Sequence, residues 1–346
     1  MLNRQFQSCE QPSIKLRMTR RQFVYGAFSC LTLSAQSPSS GAIVTVSHAG
    51  LVGGGGDALL VPIAAKQNFF LKHGISANLV RGSLEQGQIG VFGSPAVLQG
   101  LGRGLDLKIV AAFSSGRTSS RLVARPTIRS ARDLRGKILG ANGVGAGSWT
   151  MTILALERLG LDQRRDEITI RSTGDQAATA KALKEGAIDA ALLSSGPSQE
   201  LISLGYPLLL DLSTVEVYGP QLVLATTGQF LRDHGAIVTD VLSALIESAA
   251  FMSGPVNKGT YQAEFAQAFG ITTPASVERA YQDLKNLNRR PFPSRERLVE
   301  IQRLMILSQP EIGRLDLNGV IQDGIVRGLD RRGDIAALYE KYGIAL

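Results

Sequence analysis

Chemistry in this chain would have to come from few residues. Its 346 positions hold three histidines, His48, His73 and His234, and two cysteines, Cys9 and Cys30. No two histidines stand at metal-ligand spacing and H-E-x-x-H is absent, so nothing in the sequence points to a metal centre. No G-x-S-x-G nucleophile turn occurs, and beyond Cys30 there is no thiol. His73 and His234 read as solvated turn residues, and His48, just before a glycine loop, is a weaker cleft candidate that stays outside the expected site set. Asp189 invites a general-base role, but Asp in the turn before a strand is ordinarily structural. The informative stretch is 133–150, D-L-R-G-K-I-L-G-A-N-G-V-G-A-G-S-W-T. It reads as a buried strand, Ile138 to Ala141, then a glycine-rich loop, then a helix with Ser148 as its N-cap and a stop at Gly160. Such a loop turns backbone N–H groups toward whatever lies beyond the strand's end. It matches neither G-x-x-x-x-G-K-[ST] nor a dinucleotide fingerprint, since Asp162 falls too early and after the helix. What remains is a site for a small polar or anionic molecule, with no catalytic residue and no cofactor.

The elements that must position this stretch alternate. Strands are expected over 43–46, 76–80, 89–92, 107–113, 138–141, 167–171, 188–193, 206–210 and 221–226. Helices are expected over 58–67, 96–101, 173–185 and 200–205, and again over 240–252, 260–269, 275–287, 295–308 and 335–342. Residues 289–293, R-R-P-F-P, form a rigid basic linker. Strands and helices at this interval mean an α/β fold with largely parallel sheets, here two units in tandem followed by helices. Ligands of such sheets sit beyond the carboxyl ends of the strands. The loops there supply the expected ligand-binding set: Gly56, Asp57, Ser94, Ser114, Ser115, Gly147, Ser148, Trp149, Thr150, Ser195, Gly196 and Tyr218. Trp149, the lone tryptophan, is expected as an aromatic wall of the cleft.

Composition narrows the class further. With 44% hydrophobic and 19% charged residues, the chain is ordinary for a soluble globular protein of one large domain or two lobes. Half of the net charge of +8 comes from the first 35 residues, through Arg4, Lys15, Arg17, Arg20 and Arg21 against Glu10. The mild remainder, without an aromatic-studded basic stripe, gives nucleic-acid binding no support. Residues 1–42 read as an export signal: a basic segment through Arg20-Arg21, an uncharged apolar run over 23–35, then small residues with cleavage expected after Ala35 or Ala42. The run is too short to span a bilayer, and Thr-Arg-Arg-x-Phe is similar to a twin-arginine signal. A lipid anchor through Cys30 fits less well, because Ala27-Phe28-Ser29 lacks the leucine expected three residues before the cysteine.

Three motifs carry a family resemblance. Residues 64–75, A-A-K-Q-N-F-F-L-K-H-G-I, resemble the A-K-x-x-G-F-F-x-K-x-G-I segment of periplasmic substrate-binding proteins of the nitrate, sulfonate, taurine and thiamine-precursor (NMT1/THI5-like) type. Residues 182–191, A-L-K-E-G-A-I-D-A-A, match that family's A-L-x-x-G-x-I-D-A, and Ile128, Ala131, Asp133, Leu134, Gly136 and Lys137 match the start of its second lobe. The resemblance implies a type II periplasmic binding fold, two α/β lobes joined by two crossover strands near 122–125 and 221–226. Lobe one is then 43–125 plus 221–346, and lobe two 126–220. It also implies a monomeric receptor for an ABC permease in the inner membrane, closing on a small-molecule ligand in the periplasm, with a ligand sensor for a membrane kinase as an alternative. Its enzyme relative of the thiamine-pyrimidine type implies cysteine and histidine chemistry with iron, which a body without cysteine does not match. Two departures stand out: Gln88 replaces the usual Asp of the first lobe, and Asn68 replaces a turn glycine. No Lys or Arg lies in 143–150, which weakens a strongly anionic ligand.

Overall fold

The computed structural model describes residues 42–48, 56–115, 119–143, 145–215, 219–271 and 273–346. The expected export signal up to residue 41, most of the first glycine loop and Tyr218 lie outside them.

Among the described residues, ten strands form two five-stranded sheets. The first contains β1 (Ala42–His48), β2 (Ile75–Arg81), β3 (Ile89–Gly93), β4 (Leu107–Ala112) and β10 (Leu222–Thr227), in the order β2-β1-β3-β10-β4. The second contains β5 (Arg121–Ala124), β6 (Ile138–Ala141), β7 (Thr169–Ser172), β8 (Ala190–Leu193) and β9 (Leu208–Asp211), in the order β7-β6-β8-β5-β9. The sheets repeat one plan. Three parallel strands come first, and the fourth place is taken by a strand running the other way: β10 between β3 and β4, β5 between β8 and β9. Both antiparallel strands adjoin the segments where the chain passes between sheets. This corrects the first expected crossover: β5 belongs wholly to the second sheet, so the passage falls between Ala112 and Arg121 rather than at 122–125. The second is corrected likewise: β10 belongs wholly to the first sheet, so the return falls between Asp211 and Leu222 rather than at 221–226.

The interior strands are short and apolar because both faces are covered. Along β8, Ala190 and Leu192 enter one apolar cluster while Ala191 and Leu193 enter another. Each lobe also pins the first of its parallel strands, β1 or β6, with a side-chain acceptor. Gln88 Oε1 accepts from Thr45 N (2.9 Å), and Asp189 Oδ2 accepts from Ile138 N (3.0 Å). Gln88 therefore does in lobe one what Asp does in lobe two, and Asp189 is structural. Asn68 takes the left-handed conformation (φ 58°) that the usual glycine would provide.

Helix ends moved where local polar chemistry decided them. The 173–185 helix starts later, at Gln176, because Gly174 is left-handed and Asp175 caps by accepting from Ala178 N (2.8 Å). The 200–205 helix is longer, Ser195–Ser203. The 275–287 helix runs Pro274–Asp283 and tightens to a 3-10 turn, Leu284–Asn286. Helix Gly324–Arg331 had no counterpart in the sequence reading.

Lobe one has its own core, in which helix Gly235–Ser253 and the aromatics Phe69, Tyr261, Phe265 and Tyr339 are buried. A second cluster passes through both lobes. Val97 and Leu98 of helix Ser94–Gly102, Ile153 and Leu154 of helix Gly147–Arg158, and Leu298, Ile301 and Leu304 of helix Arg295–Met305 meet in one apolar seam.

Candidate functional site

A cavity of about 330 Å³ opens between the lobes, at the ends of β1, β3, β4, β6 and β8. Gly56 and Asp57 reach it from the 3-10 turn Gly56–Leu59. Gly56 has to be glycine here, since a Cβ would stand 2.8 Å from both the Ala280 carbonyl and the Tyr261 hydroxyl. Tyr261 donates to the Gly56 carbonyl (3.2 Å), fixing this turn on the helices behind it. Ser114 lines the cavity while its Oγ accepts from Leu222 N (2.7 Å) and its carbonyl accepts from Gln221 Nε2 (3.2 Å). One serine thus ties both passages between the lobes together.

From lobe two come Asn142, Ala146, Gly147, Ser148, Met151 and Ser194. Helix Gly147–Arg158 begins at Ala146 as N-cap, two residues before the expected N-cap Ser148. Ser148 is inside the helix, and its Oγ accepts from Asn142 N (2.8 Å), folding the glycine loop back onto the helix start. At the loop's tip Gly145 is left-handed (φ 74°), and a Cβ there would meet Gln309 Nε2 and Gln99 Nε2 of lobe one.

Five expected site residues therefore share the cavity: Gly56, Asp57, Ser114, Gly147 and Ser148. Others sit beside it. Ser94 is buried, and its Oγ accepts from Gln221 N (3.2 Å), clamping the return segment. Ser115 donates its N–H to the Asn286 carbonyl (2.8 Å). Thr150 is buried with its hydroxyl on the Ala146 carbonyl (3.0 Å). Ser195, at the start of helix Ser195–Ser203, donates to Asp283, and a Cβ on Gly196 would approach Ile271 Cδ1 at 3.0 Å. Both lie on a contact between lobe two and the C-terminal helices, next to the cavity. Trp149 departs furthest: only 3% exposed, it packs in the interlobe seam and forms no wall. Successive helix residues point 100° apart, so Ser148 facing the cavity turns Trp149 away from it. Tyr218 is outside the described residues.

Sequence reasoning missed the wall contributed by the C-terminal helices. Asp283, Asn286 and Leu287 line the cavity from residues that carry no strand-end signal. His48, Gln99, Ser119 and Asn142 complete the polar lining. Asp283 Oδ2 accepts from Ser119 Oγ (2.9 Å) and from Ser195 Oγ, which bridges a crossing segment and lobe two. Burial and then the Asp283 carboxylate raise the pKa of Asp57, opposed by a hydrogen bond from its own backbone N–H. Burial, Asp57 and Asp283 together push the Tyr261 phenol well above its ordinary value. Burial and then Arg81 lower His48, so its imidazole is neutral at neutral pH. Among the described residues no group of His, Cys, Asp and Glu is arranged to hold a metal.

The family model of NMT1/THI5-like proteins matches residues 60–255. The chain belongs to that family. None of the curated proteins matches it in sequence. Solved structures share its fold at low identity. The alkanesulfonate-binding protein SsuA of Xanthomonas axonopodis, bound to MOPS, superposes with a TM-score of 0.65 at 16% identity, covering 82% of this chain and 99% of its own. A Candida albicans protein described as having the generic periplasmic binding protein structural fold gives 0.57 at 13%, covering 85% and 95%. The desulfurization enzyme DSZB gives 0.58 at 15%, covering 83% and 99%. The fold of this NMT1/THI5-like chain is accordingly that of the periplasmic binding proteins, as its motifs implied.

Proposed function

We propose that the chain is the solute-binding receptor of an ABC-type importer, exported to the periplasm and acting as a monomer. Two lobes close on a small organic molecule and present the closed form to a permease. The observation that carries this reading is the cavity itself, enclosed by both lobes and bounded by the two segments that connect them. A hinge at those segments lets one ligand touch both walls and stabilise closure. Gly56, Asp57, Ser114, Gly147 and Ser148 would contact the ligand, with backbone N–H groups and hydroxyls as donors. Sulfonates, nitrate, taurine and pyrimidines are the ligands that the family resemblance implies.

Catalysis is the second reading, because the fold also serves the enzyme DSZB. One experiment separates the two. The purified full chain is screened by thermal shift against sulfonates, amino acids, pyrimidines, amines and simple anions, and each hit is recovered and analysed. A ligand at 100 times its dissociation constant stabilises the fold by about 2.7 kcal/mol. A hit recovered unchanged supports the receptor; a hit converted to product overturns it.

A further inference from the structure

The cavity's lining is one-sided in charge. Asp57 and Asp283 face it, and among the described residues no lysine or arginine does. Asp283 is answered from within the protein: two serine hydroxyls donate to it, and the Arg279 guanidinium lies 3.5 Å from Oδ1. Asp57 is answered only by its own backbone N–H, and no described cation stands within salt-bridge distance of it. A separate observation comes from the opposite wall. Asn142 lines the same cavity from lobe two, and its Oδ1 is buried without a hydrogen-bond partner. Lobe one therefore presents a carboxylate with no cation beside it, and lobe two a buried carbonyl oxygen without a donor, which is unfavourable.

We propose that the solute bound here carries a protonated amine or amidine, with its N–H groups on Asp57 and Asn142. The inference rests on the receptor reading above and names the class of ligand. A cation brought to Asp57 also relieves its repulsion from Asp283, so binding and closure draw on the same charge. The rest of the ligand lies along Val91, Phe92 and Met151, an apolar strip that asks for carbon rather than further charge. An anionic group is accommodated only as the far end of a zwitterion, where the N-terminal N–H groups of helix Gly147–Arg158 reach the cavity.

Matched pairs that differ only in the amine test this on the full chain by calorimetry. The pairs are 2-aminoethanesulfonate with ethanesulfonate, 4-aminobutyrate with butyrate, benzylamine with benzyl alcohol, and agmatine with its uncharged N-acyl analogue. At least one amine should bind tenfold or more tighter than its partner. Asp57→Asn should abolish that preference while leaving a cooperative melting transition, and Asp57→Glu should restore part of it. Equal or tighter binding of the amine-free members overturns the inference and leaves the receptor standing. Conversion of a bound amine to product overturns the receptor and leaves the amine class. Silence from every amine in the panel overturns the inference as well.

Discussion

Between the same two lobes lie a closed apolar seam and a cavity with polar groups in its wall, and helix Gly147–Arg158 contributes to both. Its N-terminal end offers Gly147, Ser148 and Met151 to the cavity, while Trp149, Ile153 and Leu154 pack into the seam against helix Arg295–Met305. The seam side chains are almost fully buried from water; the cavity holds acceptors and hydroxyls that water or a ligand must satisfy. A receptor that opened symmetrically would have to pull the seam apart and expose its apolar side chains. In the proposed receptor, opening would therefore be confined to the cavity side, with the seam as its fixed edge.

The largest effects should come from breaking the seam. Trp149→Ala is expected to destabilise the fold by about 3–5 kcal/mol, and Ile301→Ala or Leu304→Ala by about 2–5 kcal/mol. Urea denaturation measures this, and a Trp149→Ala variant with unchanged midpoint but weakened ligand binding would put Trp149 back on the cavity. Next come the acceptors that pin the first strands. Asp189→Ala leaves Ile138 N without its partner and should remove about 1–3 kcal/mol. Gln88→Ala should act in the same direction on Thr45 N but more weakly, because that bond is exposed. Equal losses would show that the two lobes depend alike on this device.

On the cavity side the effect is read against pH. The raised pKa of Asp57 means that, above the ordinary carboxylate value of about 4, the native state binds more protons than the unfolded chain. Stability then falls as pH rises through the folded pKa of Asp57 and stays lower beyond it. Asp57→Asn should therefore melt higher than the parent at pH 7 without ligand, with the difference vanishing below about pH 4. A constant difference across that range would show that Asp57 does not titrate against burial and Asp283. The smallest effect is expected at the seam's solvent edge. There Arg303 pairs with Glu157 at 3.0 Å, both half exposed, so Arg303→Ala should change stability by less than about 1 kcal/mol.

How far the sequence was readable follows the same division. Strand periodicity and glycine stops located nine of the ten described strands within a few residues, because buried strands and left-handed glycines leave local marks; β5 came only from the family resemblance. Gly56, Asp57, Gly147 and Ser148 were visible for the same reason, as polar or glycine positions at strand ends. Trp149 was misplaced because an aromatic beside a ligand loop and an aromatic in a core carry the same local sequence, and only packing separates them. Asp283 and Asn286 were invisible: they reach the cavity through tertiary folding of the C-terminal helices, and nothing nearby in sequence records that approach. β5 was assigned to the wrong lobe because a four-residue apolar strand does not announce which sheet it joins.

The placing of β10 also bears on the order of events during synthesis. All five strands of the second sheet lie between Arg121 and Asp211, whereas the first sheet lacks an interior strand until Thr227 has been made. The later-made lobe can therefore close first. β3 and β4 wait, with the edges that will flank β10 unpaired, while about 110 further residues are added, roughly 5–20 s at ordinary synthesis rates. Pulse proteolysis of stalled nascent chains should accordingly find β5–β9 protected before β1–β4, and chaperone contact should concentrate on the open edges of residues 89–112.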